Sequence, residues 1–371
     1  MKKTLIAILL ATFASTGFAQ LDNPNANVDW LTGKVEEGNR IISTGVPLLL
    51  IAPDSRAGAM GDVGAASKPD ANSIHWNAAK LSFMEKQAGL TFTYSPWLRE
   101  IVSDIKLMYL SAYYRLDERN TLGASLTYFS LGSIDFFSED GQQTGTYKPN
   151  EFAFDVAYSM KLSENLSMSL TGRYIRSDLT QGQNVGTTST HAANAGAADL
   201  GLYYQNKIYL EMPSDYAFVV QISNLFSKIS YSDNMESSFL PANLRIGGRY
   251  SMDFDQFNNL SVMADFNKLL VPTPPVYDGE GNIFAGKDPN VGVLQGAIQS
   301  FYDAPNGFKE ELQEISMSLG LEYWYNKILA VRAGYFYEAK NKGARKYLTL
   351  GAGLRYNVMG LDISSLSPPQ P

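Results

Sequence analysis

Along much of this chain, apolar residues alternate one for one with small or polar ones. Val156-Ala-Tyr-Ser-Met160, Leu166-Ser-Met-Ser-Leu170 and Leu348-Thr-Leu-Gly-Ala-Gly-Leu-Arg-Tyr356 are three such stretches. A period of two sends alternate side chains to opposite faces of a β-strand. Here the apolar set is broad and ends in Tyr or Trp, while the other set is Ser, Thr, Gly, Arg and Asp. An apolar outside around a polar inside is the pattern of a barrel standing in a lipid bilayer. The alternation predicts strands over 87–97, 105–116, 121–131, 151–162, 166–177, 197–207, 215–226, 242–253, 259–270, 315–325, 328–339 and 347–357. A further short apolar piece begins at Met359.

The connections sharpen that reading. Short ones fall at 117–120, 163–165, 211–214, 255–258 and 325–327, and long ones at 132–150, 178–196, 227–241 and 272–314. Short periplasmic turns alternating with long outer loops is the topology of an outer-membrane barrel. The faces follow strand by strand. Phe152, Phe154, Val156, Tyr158 and Met160 face lipid, as do Leu244, Ile246, Tyr250 and Met252, and Ile315, Met317, Leu319, Leu321, Tyr323 and Tyr325. Asp155, Arg173, Arg245, Arg249, Glu322, Arg332 and Arg355 then fall inside. A charge on the lipid face costs about 2–4 kcal/mol at mid-depth, so this phase is nearly forced. Pairing of these arginines with Asp155, Glu322 and plug residues accounts for them.

The first residues read differently. Met1-Lys2-Lys3, an apolar run from Leu5 to Phe13 and Gly17-Phe18-Ala19 describe a secretory signal peptide over 1–19, too short to span a membrane as a helix. No Cys follows the cut, so a lipoprotein is excluded, and the chain has no cysteine at all. The net charge of −7 falls to about −9 once Lys2 and Lys3 leave, which argues against nucleic acid as a partner. Residues 20–85 carry no strand pattern. They hold the apolar Pro47-Leu-Leu-Leu-Ile-Ala-Pro53, then Gly58, Gly61 and Gly64 among alanines. Small residues let backbone pack closely in a confined space. The expected organisation is a hatch over 20–85 inside a barrel over 86–371, forming one structural domain.

Little in the sequence points to catalysis or a cofactor. His75 and His191 are the only histidines, and neither has metal-ligand spacing. His75 has no arranged nucleophile beside it, and a structural hydrogen bond is the simpler role. Gly58-Ala-Met-Gly61 lacks the strand before and the Lys-Ser/Thr after that a phosphate loop needs. Gly279-Glu-Gly-Asn282 and Asp288-Pro-Asn-Val291 lack the spacing of a calcium loop and read as turns. The expectation is a protein that is not an enzyme and holds no metal or cofactor.

Arg56-Ala-Gly-Ala-Met-Gly-Asp-Val-Gly-Ala-Ala-Ser67 and Asp70-Ala-Asn-Ser-Ile-His-Trp-Asn77 resemble the hatch signature of the FadL-like outer-membrane barrels. Asp54, Arg56, Gly58, Met60, Gly61, Asp62, Asn72, His75, Trp76 and Asn77 carry that motif. Pro53-Asp-Ser-Arg56, Pro96-Trp-Leu-Arg99, Tyr128-Phe-Ser-Leu-Gly132 and Lys148-Pro-Asn-Glu-Phe152 narrow the resemblance to the PorV (LptO) family of the Bacteroidetes type IX secretion system. The resemblance implies an all-β, FadL-like transmembrane antiparallel barrel of about 14 strands in the outer membrane. It also implies partners: a SprA/Sov-type translocon, secreted cargo with C-terminal secretion domains, and a surface attachment complex with a PorU-like sortase. Family members continue past Gly360-Leu-Asp-Ile-Ser364 into a final strand ending in an aromatic residue, whereas this sequence stops at Ser367-Pro-Pro-Gln-Pro371. A closed bacterial barrel needs an even strand number. Closure thus falls to the piece at Met359, to a strand from near 41–51, or to residues beyond this sequence.

Three functions of different classes follow: a docking component of the secretion machine, a FadL-type transporter of hydrophobic small molecules, and a lipid A deacylase. Loop 272–314 favours the first. It far exceeds the roughly 12–15-residue ceiling for structureless connections. Phe284, Val291, Val293, Leu294, Phe301 and Tyr302 give it an apolar character that marks protein contacts. A transporter would instead bind its ligand in an apolar pocket at Leu48, Leu49, Ile51 and Met60.

Overall fold

The computed structural model describes residues 39–97, 104–137, 142–182, 189–209, 211–233 and 237–367, with a two-residue strand pair, Val28–Asp29 with Lys34–Val35. The proposed signal peptide therefore lies outside the described residues, as do most of residues 20–38.

Thirteen strands form a single antiparallel meander: β1 (Ala88–Pro96), β2 (Ile105–Arg115), β3 (Asn120–Leu131), β4 (Asn150–Lys161), β5 (Leu166–Asp178), β6 (Ala193–Tyr209), β7 (Pro213–Leu225), β8 (Asn243–Asp253), β9 (Asn258–Leu269), β10 (Ile315–Tyr325), β11 (Leu329–Tyr337), β12 (Lys346–Tyr356) and β13 (Met359–Ser367). Each pairs with the next in sequence. The alternation forces this register, because a slip of one residue would turn every apolar side chain inward. In β4, Phe154, Val156 and Tyr158 lie exposed on the outside while Asp155 and Ser159 are buried. Across the wall, Phe218, Val331 and Leu350 are 59%, 53% and 65% exposed. Large apolar residues in contiguous exposure make a lipid-facing band rather than a soluble surface. No described helix is long and apolar enough to cross a membrane.

The sheet wraps around residues 39–87. Ser111 of β2, Ser159 of β4 and Ser167 of β5 donate hydrogen bonds to backbone carbonyls of this segment. Asp265 of β9, Glu322 of β10 and Thr349 of β12 accept hydrogen bonds from it. Contacts on strands so far apart in the meander require the wall to curl round the segment. Two short helices punctuate it, α1 (Ser55–Gly58) and α2 (Ser73–Asn77). The 3-10 turns Pro47–Leu50 and Ala78–Phe83 flank them.

Among the described residues the wall does not close on itself. β1 and β13 end the sheet and pair with one neighbour each. The piece beginning at Met359 is a full nine-residue strand, giving thirteen strands where about fourteen were expected. Residues 41–51 form no strand and descend into the bore instead, with Val46 and Leu48 buried. In an antiparallel meander an odd count leaves the two edge strands parallel, so an antiparallel ladder cannot join them. Leu90 and Met359, at 71% and 74%, are among the most exposed apolar side chains of the wall.

Long connections gather at one mouth and short turns at the other. The 270–314 connection holds a small hairpin (Val276–Tyr277 with Ile283–Ala285) and two helices, α3 (Val293–Gln299) and α4 (Phe308–Gln313). Six and seven residues are too short for helices to stand alone in water. They persist here by packing on the mouth.

Candidate functional site

Two regions gather the side chains singled out from sequence: the bore and the outer mouth. In the bore, Asp54 caps α1, accepting from the Ala57 amide at 2.9 Å, and its second oxygen accepts from Trp76 Nε1 at 2.6 Å. One carboxylate thereby fixes both short helices. Arg56 reaches across to the wall with two parallel bonds to Glu322, 2.8 and 2.9 Å, and a third to Asp70 at 2.7 Å. Glu322 also accepts from Arg332 at 2.7 Å, and Arg332 goes on to Asp362 at 2.8 Å. Forked guanidinium–carboxylate pairs fix orientation as well as charge. A second cluster joins Arg173 to Asp155 at 2.6 Å, to Asp199 at 3.1 Å and to Asn224.

The remaining motif residues hold backbone against backbone. Gly61 adopts φ +67°, and a Cβ there would stand 2.6 Å from the Tyr335 amide nitrogen. Opposite it, a Cβ on Gly334 would collide with the backbone of Met60 and Gly61. Only glycine on both sides allows this approach. Gly58 lies against Ser364 of β13, and Met60 is fully buried beside Val63 and Met263. Asp62 accepts from the Tyr347 hydroxyl. Asn77 donates to the Leu202 carbonyl at 2.9 Å and accepts from the Ala79 amide. Asn72 Oδ1 is buried without a partner among the described residues, so no lumen bond forms there. Trp76 lies under the Arg245 guanidinium at 4.7 Å, and His75 packs edge-on to Trp76 and Tyr109. Arg245 bonds Asn267 rather than a hatch carboxylate.

Leu48 and Leu49 line a small pocket with His75, Thr127, Ala153, Asp155 and Arg173. Ile51 and Met60 do not join them, and the lining includes the polar His75, Thr127, Asp155 and Arg173. No group of three or more His, Cys, Asp or Glu that could hold a metal occurs among the described residues.

At the outer mouth, α4 and the residue that ends it carry three carboxylates into a buried ionic layer. Glu310 accepts a forked pair from Arg40 at 2.7 and 2.8 Å and a bond from Lys342 at 2.7 Å. Glu314 accepts from Lys342 at 2.8 Å, from Lys268 at 2.6 Å and from Thr273 at 2.5 Å. Glu311 accepts from Lys268 at 2.9 Å and from the Ala304 amide. Burial raises the Glu310 pKa, but the bonds from Arg40 and Lys342 outweigh it and hold the group down at about 2. Asp303 forms no such ion pair, and burial pushes it up to about 6. None of Arg40, Lys268, Glu310, Glu311, Glu314 or Lys342 stood out in the sequence. The available signal was Glu310 and Glu311 in the first turn of a helix behind Gly307, with Glu314 four residues on from Glu310 and so on the same face.

Above this layer lies an apolar surface. Leu294 and Ile298 of α3 are 58% and 66% exposed, and Phe301 and Tyr302 continue their face. Phe308 and Leu312 of α4 repeat the i, i+4 spacing, Phe308 at 76%. Phe284 is also exposed, while Val291 and Val293 are half-buried. On the opposite face of α3, Ala297 packs with Leu225, Ala242, Leu270 and Val271.

Several solved structures match the chain at low identity. The toluene transporter TodX of Pseudomonas putida is 15% identical, over 83% of this chain and 91% of its own, with a TM-score of 0.44. A TodX deltaS2S3 mutant, titled a monoaromatic hydrocarbon channel, is 14% identical over 84% and 92%, with a TM-score of 0.47. A FadL homologue of Pseudomonas aeruginosa is 10% identical over 89% and 90%, with a TM-score of 0.40. No curated protein sequence matches the chain. The family described as "Type IX secretion system protein PorV" matches residues 34–276, about two thirds of the length, ending where the long outer loop begins. This chain belongs to the PorV family of type IX secretion system proteins.

Proposed function

We propose that the chain is a non-enzymatic docking component of the type IX machinery, and that the 270–314 module is its docking surface. In this reading a signal peptide over 1–19 exports it, and the barrel stands in the outer membrane with the module outside. Its partners are a SprA/Sov-type translocon, cargo bearing C-terminal secretion domains, and the attachment complex with its PorU-like sortase. The barrel receives cargo at the first and hands it to the last.

One observation carries the reading. The bore is packed with paired charges, while two helices at its mouth leave Leu294, Ile298, Phe308 and Leu312 uncovered. Burying each such side chain against a partner contributes about 1.5–3 kcal/mol. A passage for apolar small molecules finds less support in a small pocket shared by Asp155 and Arg173. Hydrolysis of a lipid finds none in His75, whose ring is packed against two aromatics.

Deleting residues 276–306 tests it. The expected product is a folded, inserted barrel that no longer co-purifies with the large translocon or with cargo. Retention of both by the deletion would place the docking surface elsewhere.

A further inference from the structure

The chain enters the bore from the long-loop mouth. Arg40 lies against α4, Ile42 packs into the cluster beneath α3, and the Gly45 amide bonds the Phe239 carbonyl at 2.8 Å. The Arg40 amide also donates to the Asn341 carbonyl at 3.1 Å. Six residues thus touch the module's two helices and two neighbouring loops. The same segment then descends to Asp54, which accepts from Trp76, and to Arg56, which is tied to Glu322 of the wall. The segment is a continuous link between the centre of the bore and the underside of the apolar surface.

The charges make that link consequential. Arg40, Lys268 and Lys342 face Glu310, Glu311 and Glu314, three against three, with Arg40 only 2% and Glu310 1% exposed. Lys268 and Lys342 belong to the wall and its loop, so they remain wherever the hatch goes. Arg40 alone belongs to the hatch segment. Withdrawing it leaves a buried carboxylate that has lost both forked bonds, which a low-dielectric site tolerates poorly.

We propose that Arg40 is a pin: the hatch segment holds the module down on the outer mouth, so that moving the hatch releases α3 and α4. The consequence for partners rests on the docking reading above, but the pin itself does not. Linkage makes the effect reciprocal. A partner that binds the seated module tightens the top of the hatch, and one that lifts α4 loosens it.

The full chain, folded into detergent micelles or lipid vesicles, provides the test. Chymotrypsin has sites at Phe284, Leu294, Phe301, Tyr302 and Phe308, all exposed yet on a held module. R40M is expected to be cut within this stretch roughly tenfold faster than the parent protein, since cleavage tracks local opening. Its unheated gel mobility, which reports the intact barrel, is expected to stay unchanged. R40K keeps the charge but loses the fork and should fall between. I42A, which removes the neighbouring apolar contact, offers a second route should R40M fail to insert, and it should also speed cutting. Parent-like cutting of R40M, or of I42A where R40M does not insert, overturns the pin. Faster cutting supports the pin whether or not the translocon still co-purifies, because the docking reading stands or falls separately on the deletion of residues 276–306.

Discussion

The bore and the outer mouth are built with the same chemistry and differ in what encloses it. Both hold forked arginine–carboxylate pairs, Arg56 with Glu322 below and Arg40 with Glu310 above. In the bore the partners hang from wall strands whose backbones are bonded on both sides, and from a segment trapped among them. At the mouth the carboxylates hang from α4 and its end in one loop, facing cations on the hatch segment, on β9 and in a neighbouring loop. A buried ion pair resists separation only as far as its carriers are fixed. The lower set therefore makes a plug, and the upper set makes a clasp that one displaced segment opens.

Breaking the plug should have the largest effect. Glu322→Ala leaves both Arg56 and Arg332 short of their shared carboxylate, and removal of one partner from a buried pair costs about 3–5 kcal/mol. The urea midpoint of the barrel in lipid vesicles should drop accordingly. A drop no larger than that of Glu310→Ala at the mouth would erase the distinction. Gly334→Ala probes the plug without touching charge. The added methyl meets the backbone of Met60 and Gly61, and overpacking of this kind costs about 1–3 kcal/mol. An unchanged midpoint would mean that the hatch is not seated on β11.

The clasp should respond to pH through two of the module's carboxyl groups. Glu310, held at about 2 against an ordinary 4.5, contributes stability that is complete above 4.5 and is lost as pH falls toward 2. Asp303, raised to about 6 from an ordinary 3.8, contributes with the opposite sign: fully below 3.8, and lost as pH rises through 6. The module should be most tightly held near pH 4 and loosen in both directions. The chain has no cysteine, so a spin label on Ile298→Cys would read this directly. Asp303→Asn should remove the loosening between pH 4 and 6 and leave the acid limb in place. A label equally immobile from pH 3 to pH 7 would contradict both assignments.

How much of this was legible in the sequence follows from the period of the signal. Lipid on one side and packed polar groups on the other force strict alternation, so twelve strands could be placed and their inward charges named. The start of β6 was read four residues late, because Ala193, Asn194, Ala195 and Gly196 carry too little apolar contrast to declare a face. The strand at Met359 looked like a fragment, since Gly360 and Ser364-Ser365 interrupt it, yet it pairs along its whole length. In the hatch, the glycine and alanine run announced close packing but not its partners. Nothing local could show that Gly61 meets Gly334. The mouth was hardest. α3 and α4 are barely two turns each, and Arg40 and Glu310 are 270 residues apart, so neither periodicity nor spacing could join them.

The smallest effect on the barrel should come from the surface proposed to matter most outside it. Leu294→Ser with Ile298→Ser removes two side chains, 58% and 66% exposed, from the outer face of α3 and leaves Ala297 and the layer beneath intact. Exposed substitutions away from caps, cores and charge pairs usually change stability by no more than about 0.5 kcal/mol. The urea midpoint and the spin-label response should therefore match those of the parent protein. If α3 docks a partner, the same pair deletes apolar contacts each contributing about 1.5–3 kcal/mol when buried, so co-purification of the translocon should fall by at least about tenfold. A stability loss comparable to that of Gly334→Ala would show that this face already packs within the protein. Full binding at full stability would show that the apolar stripe faces lipid instead, and the contrast between a closed bore and a working mouth would then have to be drawn with other residues.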